Sequence, residues 1–154
     1  MKAFLLVVAF GCAAQLTTGC KHDADTQPAS YDALAEATGH WEWESTGYQS
    51  GLRTPATQGF TRQVVFGNGG QLTVQRNGQL SYQTTYQLSR GPSCAEVPGN
   101  DVPLVVFSSE KDLANDDAKS YSIAQQNGRQ QLYLVGVGAC LDGGAFETYH
   151  WVAE

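Results

Sequence analysis

Residues 80–89 read Leu-Ser-Tyr-Gln-Thr-Thr-Tyr-Gln-Leu-Ser, so that Leu80, Tyr82, Thr84, Tyr86 and Leu88 alternate with Ser81, Gln83, Thr85, Gln87 and Ser89. Successive side chains of a β-strand point to opposite faces, so this stretch buries one face and wets the other. Runs of the same kind occupy 40–48, 60–67, 71–76, 103–108, 119–126, 129–137 and 145–153, separated by turn signals. Eight strands are therefore predicted. One short helix is expected, Tyr31 to Ala37, capped by Ser30 and stopped by Gly39.

Parity selects the turns, because residues directly opposite in a hairpin share a face. For Leu72 and Val74 to share a face with Leu80 and Tyr82, the loop must hold an odd number of residues. Arg76-Asn77-Gly78 is then a three-residue loop with Gly78 left-handed. Asn68-Gly69-Gly70 fits the same form and sets Phe66 opposite Leu72. Tyr121 and Ile123 meet Leu132 and Leu134 only across an even loop, which makes Asn127-Gly128 a two-residue type I′ turn.

The fold class expected is all-β, a single eight-stranded antiparallel up-and-down barrel, because closure removes the sheet edges that a meander would expose. All three Trp, all seven Tyr and four of the six Phe lie beyond residue 20 and would fill such a barrel or line one small ligand cavity. The chain has 154 residues, 15 of them acidic and 9 basic, for a net charge of −6, and has no Lys/Arg cluster. That balance disfavours nucleic acid and anionic lipid as partners. The length suits one domain, expected to be a monomer.

The first twenty residues have a separate character. Met1-Lys2 is positive, residues 3–14 are apolar, and Gln15 to Gly19 are small and polar. This is a secretory signal layout. Twelve helical residues cover about 18 Å, too short for a hydrocarbon core of roughly 30 Å. Leu16-Thr17-Thr18-Gly19-Cys20 resembles the bacterial lipobox, with Thr17 where that pattern prefers Leu. The resemblance implies lipidation of Cys20, including palmitate, with cleavage of residues 1–19 and membrane attachment through the lipid. Lys21 directs the expectation to the outer membrane. Residues 20–38 comprise the lipidated Cys, a polar tether and the short helix, and 39–154 form the barrel domain. Cys94 and Cys140 are the two cysteines left to the folded part, and in an oxidising envelope compartment they are expected to form a disulfide.

Gly39-His40-Trp41, Thr54-Pro55 leading into Gly59-Phe60-Thr61-Arg62-Gln63-Val64-Val65-Phe66, and the closing Glu147-Thr148-Tyr149-His150-Trp151-Val152 together resemble the lipocalin-like domains of small bacterial lipoproteins. The resemblance covers residues 39–153. It implies a calycin-type barrel closed at one end by the N-terminal segment and open at the other to a small apolar ligand. In lipocalins an Arg near the last strand covers the motif Trp, and here that strand has no Arg. Arg62 shares parity with Phe60, Val64 and Phe66, so it either points inward, to stack on Trp41 or pair with Glu147, or reaches solvent at the strand end. Trp43, Arg62, Tyr82 and Tyr86 are the expected ligand-lining residues.

Other chemistry is thinly represented. His40 and His150 fall on the first and last strands near Glu42, Glu44 and Glu147, yet parity puts His40, Glu42 and Glu44 opposite Trp41 and Trp43, on the wet face, so no metal site is expected. Residues 110–117 are acidic but lack EF-hand spacing. The Gly-rich stretches 67–70 and 136–144 open no helix that could hold a phosphate. No Ser/His/Asp or Cys/His set stands out, and no enzyme or cofactor is expected. The reading is a lipid-anchored binding protein for a small apolar or amphipathic ligand. Its alternative is a non-enzymatic interaction module, such as an envelope inhibitor or surface adaptor, acting through the loops Gln49 to Gly59, Gly91 to Val102 and Ser109 to Lys119.

Overall fold

A computed structural model describes residues 34–35, 38–93, 101–108, 118–141 and 144–154, without the side chains of Cys140 and Leu141. The signal segment, Cys20, the tether, the loops 94–100 and 109–117, and all of the expected helix except Leu34 and Ala35 lie outside the described residues. The strands are β1 (Gly39–Tyr48), β2 (Gly51–Arg53), β3 (Arg62–Gly67), β4 (Gln71–Arg76), β5 (Gln79–Pro92), β6 (Asp101–Phe107), β7 (Ala118–Gln126), β8 (Arg129–Gly136) and β9 (Phe146–Ala153). A four-residue helix, α1 (Pro55–Gln58), follows β2, and a 3₁₀ turn, Val137–Leu141, follows β8.

Neighbours in the sheet are antiparallel throughout, and β9 returns to pair with β1 from Gly39↔Ala153 to Gly47↔Phe146. The result is a single eight-stranded antiparallel up-and-down barrel of calycin-like form. The short β2 is an addition, paired only with the last three residues of β1. Glu44 forms a bulge where β1 meets β9, and the inward set of β1 passes from Trp41 and Trp43 to Thr46. The end that holds Gly39 is the base, and the end that holds Tyr48 is the mouth.

The segment expected as a plain loop from Gln49 to Gly59 carries β2 and α1. Thr54 and Thr57 form a capping box, Pro55 starts the helix and Gly59, at φ 73°, ends it left-handed. Two of the three hairpins have the expected form. Gly67↔Gln71 leaves Asn68-Gly69-Gly70 as a three-residue loop, and Gln126↔Arg129 leaves Asn127 and Gly128 as a two-residue turn, both with positive φ. The β4–β5 hairpin differs. Arg76 pairs with Gln79, so Asn77 and Gly78, both at positive φ, form a two-residue turn. A bulge between Val74 and Gln75 then restores parity, setting Val74 opposite Tyr82 and Leu72 opposite Thr84. The expected inward face therefore holds from Tyr82 onward, while Leu80, on the turn side of the bulge, is 61% exposed.

Seven aromatic residues belong to the buried core: Trp41, Trp43, Phe66, Tyr86, Phe107, Tyr121 and Tyr149. Aliphatic residues from β3, β4, β6 and β8 pack among them, and Leu34 joins the same cluster from before β1. Trp41, the motif Trp of the opening strand, meets Trp151 edge-on with centroids 5.1 Å apart. Trp151, on β9, is the ring that packs against Trp41. Gly39 is required there, because a Cβ would lie 2.6 Å from the Trp151 ring and 2.3 Å from the Val152 carbonyl oxygen.

The disulfide expected between Cys94 and Cys140 is corrected: no disulfide bond is present among the described residues. Strand direction supplies the reason. β5 runs toward the base and delivers Pro92 and Ser93 there, whereas β8 runs toward the mouth and delivers the 3₁₀ turn that contains Cys140. Bonded cysteines need Cα atoms within roughly 7 Å. An eight-residue strand such as β8 alone covers about 26 Å. Cys94 itself and the Cys140 side chain lie outside the described residues.

The register of the β4–β5 hairpin makes a stability prediction. Leu80→Ser should change the urea-unfolding free energy by no more than about 0.5 kcal/mol, the usual range for an exposed position. Leu72→Ala, at a residue 1% exposed, should cost about 2–5 kcal/mol. A loss of similar size at both positions would restore the three-residue loop.

Candidate ligand site at the barrel mouth

Alternation brings three charged residues inside. Arg62 shares the inward face of β3 with Val64 and Phe66, Lys119 that of β7 with Tyr121, and Glu147 that of β9 with Tyr149. All three are buried. Arg62 Nη2 donates to Glu147 Oε1 at 2.8 Å, and Lys119 Nζ donates to Glu147 Oε2 at 3.2 Å. The Tyr149 hydroxyl donates to the same Oε2 at 3.3 Å. Glu147 stands two strands from each cation, with β1 between it and β3, and β8 between it and β7. That separation is about 9.5 Å, a gap for long side chains. Gly136, paired with Lys119, puts no side chain on the path across β8.

Burial is the largest influence on Glu147, Arg62 and Tyr149 and opposes the charged form of each. It would raise the Glu147 pKa, but Lys119 and Arg62, through charge and hydrogen bonds, hold the carboxyl below its ordinary value. Burial would lower that of Arg62, but Tyr149 and Glu147 carry it above its ordinary value. The Tyr149 phenol is pushed well up by burial, with partial relief from Arg62. Glu147 is therefore an anion and Tyr149 a neutral donor at neutral pH. Among the described residues this one carboxylate accepts from both basic side chains.

Above it, toward the mouth, lies a pocket of about 300 Å³. Trp43, Tyr48 and Phe60 give it an aromatic wall, Thr46 and Gln58 add neutral polar groups, and Arg53, Arg62 and Arg76 contribute guanidinium groups. The wall is continuous with the buried charges. Arg76 lies 4.3 Å over the Phe60 ring, Phe60 stacks on Trp43 with centroids 5.6 Å apart, and Arg62 lies 4.8 Å over the Trp43 ring. The indole Nε1 of Trp43 donates to Thr46 Oγ1 at 2.9 Å, which fixes the ring. Arg53 covers Tyr48 at 4.4 Å.

Of the residues singled out as lining, Trp43 and Arg62 border this pocket. Arg62 points inward, pairing with Glu147 and stacking on Trp43 rather than Trp41. Tyr82 faces the interior beside the core, and Tyr86 is buried edge-on against Phe66, its hydroxyl donating to the Gly67 carbonyl at 3.2 Å. Neither borders the pocket. Arg76 escaped the sequence reading because it was placed in the turn, although its parity with Leu72 and Val74 carried the signal. Lys119 likewise shares parity with Tyr121 and Ile123. On the outer face, His150 lies 3.1 Å from Glu44 and 3.9 Å from Glu42. Among the described residues no group of three or more His, Cys, Asp or Glu is arranged to hold a metal ion.

Glu147→Gln leaves Arg62 and Lys119 buried without their countercharge. It should lower unfolding stability at pH 7 by about 3–5 kcal/mol. The folded-state pKa of Glu147 lies below the ordinary 4.5, so its contribution is complete above that value and is lost as pH falls through the folded pKa. Wild-type stability should decline below about pH 4.5 by an amount that Glu147→Gln lacks, as urea melts at stepped pH would measure.

Comparison with protein-family models, with curated proteins and with solved structures found no match.

Proposed function

We propose that the chain is a lipid-anchored lipoprotein of the bacterial outer membrane whose lipocalin-like barrel binds a small amphipathic ligand at its mouth. The observation that carries this reading is the mouth pocket: its volume of about 300 Å³ reaches the lower end of ligand sites, roughly 300 to 1,000 Å³. Its aromatic wall and convergent polar groups are the usual makeup of such sites. Aromatic and aliphatic core residues occupy the barrel interior below it.

A binding role fits the interior chemistry better than a catalytic one. General acid–base work near neutral pH favours groups that titrate there, and Glu147 and Tyr149 are shifted away from it in opposite directions.

Two measurements test the proposal. Radiolabelled palmitate should enter the protein in cells and be absent from Cys20→Ala; equal labelling of both would remove the anchor. Native mass spectrometry of protein extracted from envelopes should show a small-molecule adduct that Phe60→Ala weakens. An adduct-free mass, with a protein captured through the loops instead, would favour the interaction module.

A further inference from the structure

Among the described residues three large hydrophobic side chains are exposed: Leu52 at 64%, Leu80 at 61% and Phe146 at 56%. All three stand at the mouth end. Leu52 and Phe146 pair with the same residue, Gly47, one from β2 and the other from β9. Gly47 lies between Thr46 and Tyr48, which border the pocket, so its row faces outward. Leu80 follows the Asn77-Gly78 turn, on the side of the β4–β5 bulge where the inward parity is lost. A single exposed hydrophobic residue needs no explanation on a protein surface, but their gathering at one end does.

The arrangement distinguishes two kinds of partner. A protein interface is built on a contiguous patch with an apolar centre. Here β5 stands across the barrel from β1 and β9, separated by β3 and β4 on one side and by β6, β7 and β8 on the other. Leu80 is therefore parted from Leu52 and Phe146 by the mouth itself. Separate apolar side chains at one level suit a bilayer surface, which is flat and takes each of them independently. The net charge of −6 disfavours an anionic surface, which leaves a zwitterionic one. Chain length permits the contact. Fourteen residues lead from Cys20 to Leu34, a reach of up to about 50 Å, and β1, with ten residues, covers about 33 Å. Three side chains alone hold a protein weakly at a membrane. On a chain already tethered there, their insertion is intramolecular and benefits from a high effective concentration.

We infer that the barrel mouth rests on a zwitterionic lipid surface, with Leu52, Leu80 and Phe146 entering the headgroup region. The pocket then opens toward the lipid, and an amphipathic ligand passes between bilayer and barrel without crossing bulk water. This inference rests on the proposed lipid anchor at Cys20.

The test uses the protein purified from envelopes and incorporated into phosphatidylcholine vesicles. Leu52→Cys, Leu80→Cys and Phe146→Cys are made one at a time in a chain carrying Cys94→Ser and Cys140→Ser, and each is labelled with a nitrobenzoxadiazole fluorophore. Gln125→Cys, exposed beside the Asn127-Gly128 turn at the base, is the control. All four positions are exposed, so replacement leaves the fold intact. With nitroxide-bearing lipid in the vesicles, the three mouth probes should lose about twice as much fluorescence as the base probe or more, since only the mouth reaches the headgroup boundary. Leu80→Ser together with Phe146→Ser should bring the loss at position 52 down to the level of the control. A chain that floats with the vesicles while mouth and base probes are quenched equally would overturn the mouth contact and leave the anchor standing. Quenching at position 52 unchanged by the two Ser replacements would also overturn it. A chain that does not float with the vesicles would overturn the anchor and the mouth contact together.

Discussion

One carboxylate, Glu147, organises the interior of this barrel. It accepts hydrogen bonds from Arg62, Lys119 and Tyr149 in a space from which water is largely excluded. Buried ions carry a desolvation penalty of several kcal/mol each, so removing one partner is far more damaging than forming the group is stabilising. The arrangement acts as a register lock. β3, β7 and β9 must all present the same parity inward, and a slip by one residue in any of them would turn a charge to the outside and an apolar row to water.

The same group divides the barrel. Toward the base, Trp41 against Trp151, the Leu34 side chain and the rings of Phe66 and Tyr86 make an apolar floor. Toward the mouth, guanidinium groups and aromatic rings alternate from Arg62 through Trp43 and Phe60 to Arg76. The packed base supplies rigidity, and Arg62, paired with Glu147 below and bordering the pocket above, joins the two halves. Fold and site are thus joined by a stack of contacts rather than by a flexible lid.

Much of this was legible in the sequence. Strict alternation in 80–89 and its seven companions specified the strands, and turn parity specified two hairpins, because one-faced burial leaves little freedom in register. The third hairpin illustrates the limit. A two-residue Asn-Gly turn followed by a bulge and a three-residue loop give the same inward face from Tyr82 onward, but they differ in register by two residues, with Val74 opposite Tyr82 rather than Leu80, and in the placing of Arg76 and Leu80. That difference hid Arg76 from the site. Arg62 was legible as an inward candidate, but its partner was open between Trp41 and Glu147, since distance across two strands is not written in local pattern. Lys119 was missed because a Lys at a strand start ordinarily reads as solvated, and only tertiary closure brings Glu147 to it. The expected cysteine pair failed for the complementary reason: composition suggested a bond that strand direction does not support.

Glu147 stays ionised inside the barrel because Arg62 and Lys119 hold it. The most direct measurement is the side-chain carboxyl carbon shift of Glu147, followed by nuclear magnetic resonance as pH is lowered on labelled protein. This carbon should keep its ionised shift as pH falls below the ordinary carboxylate value of 4.5. A Glu147 carbon that titrates at or above the ordinary value of 4.5 would contradict it.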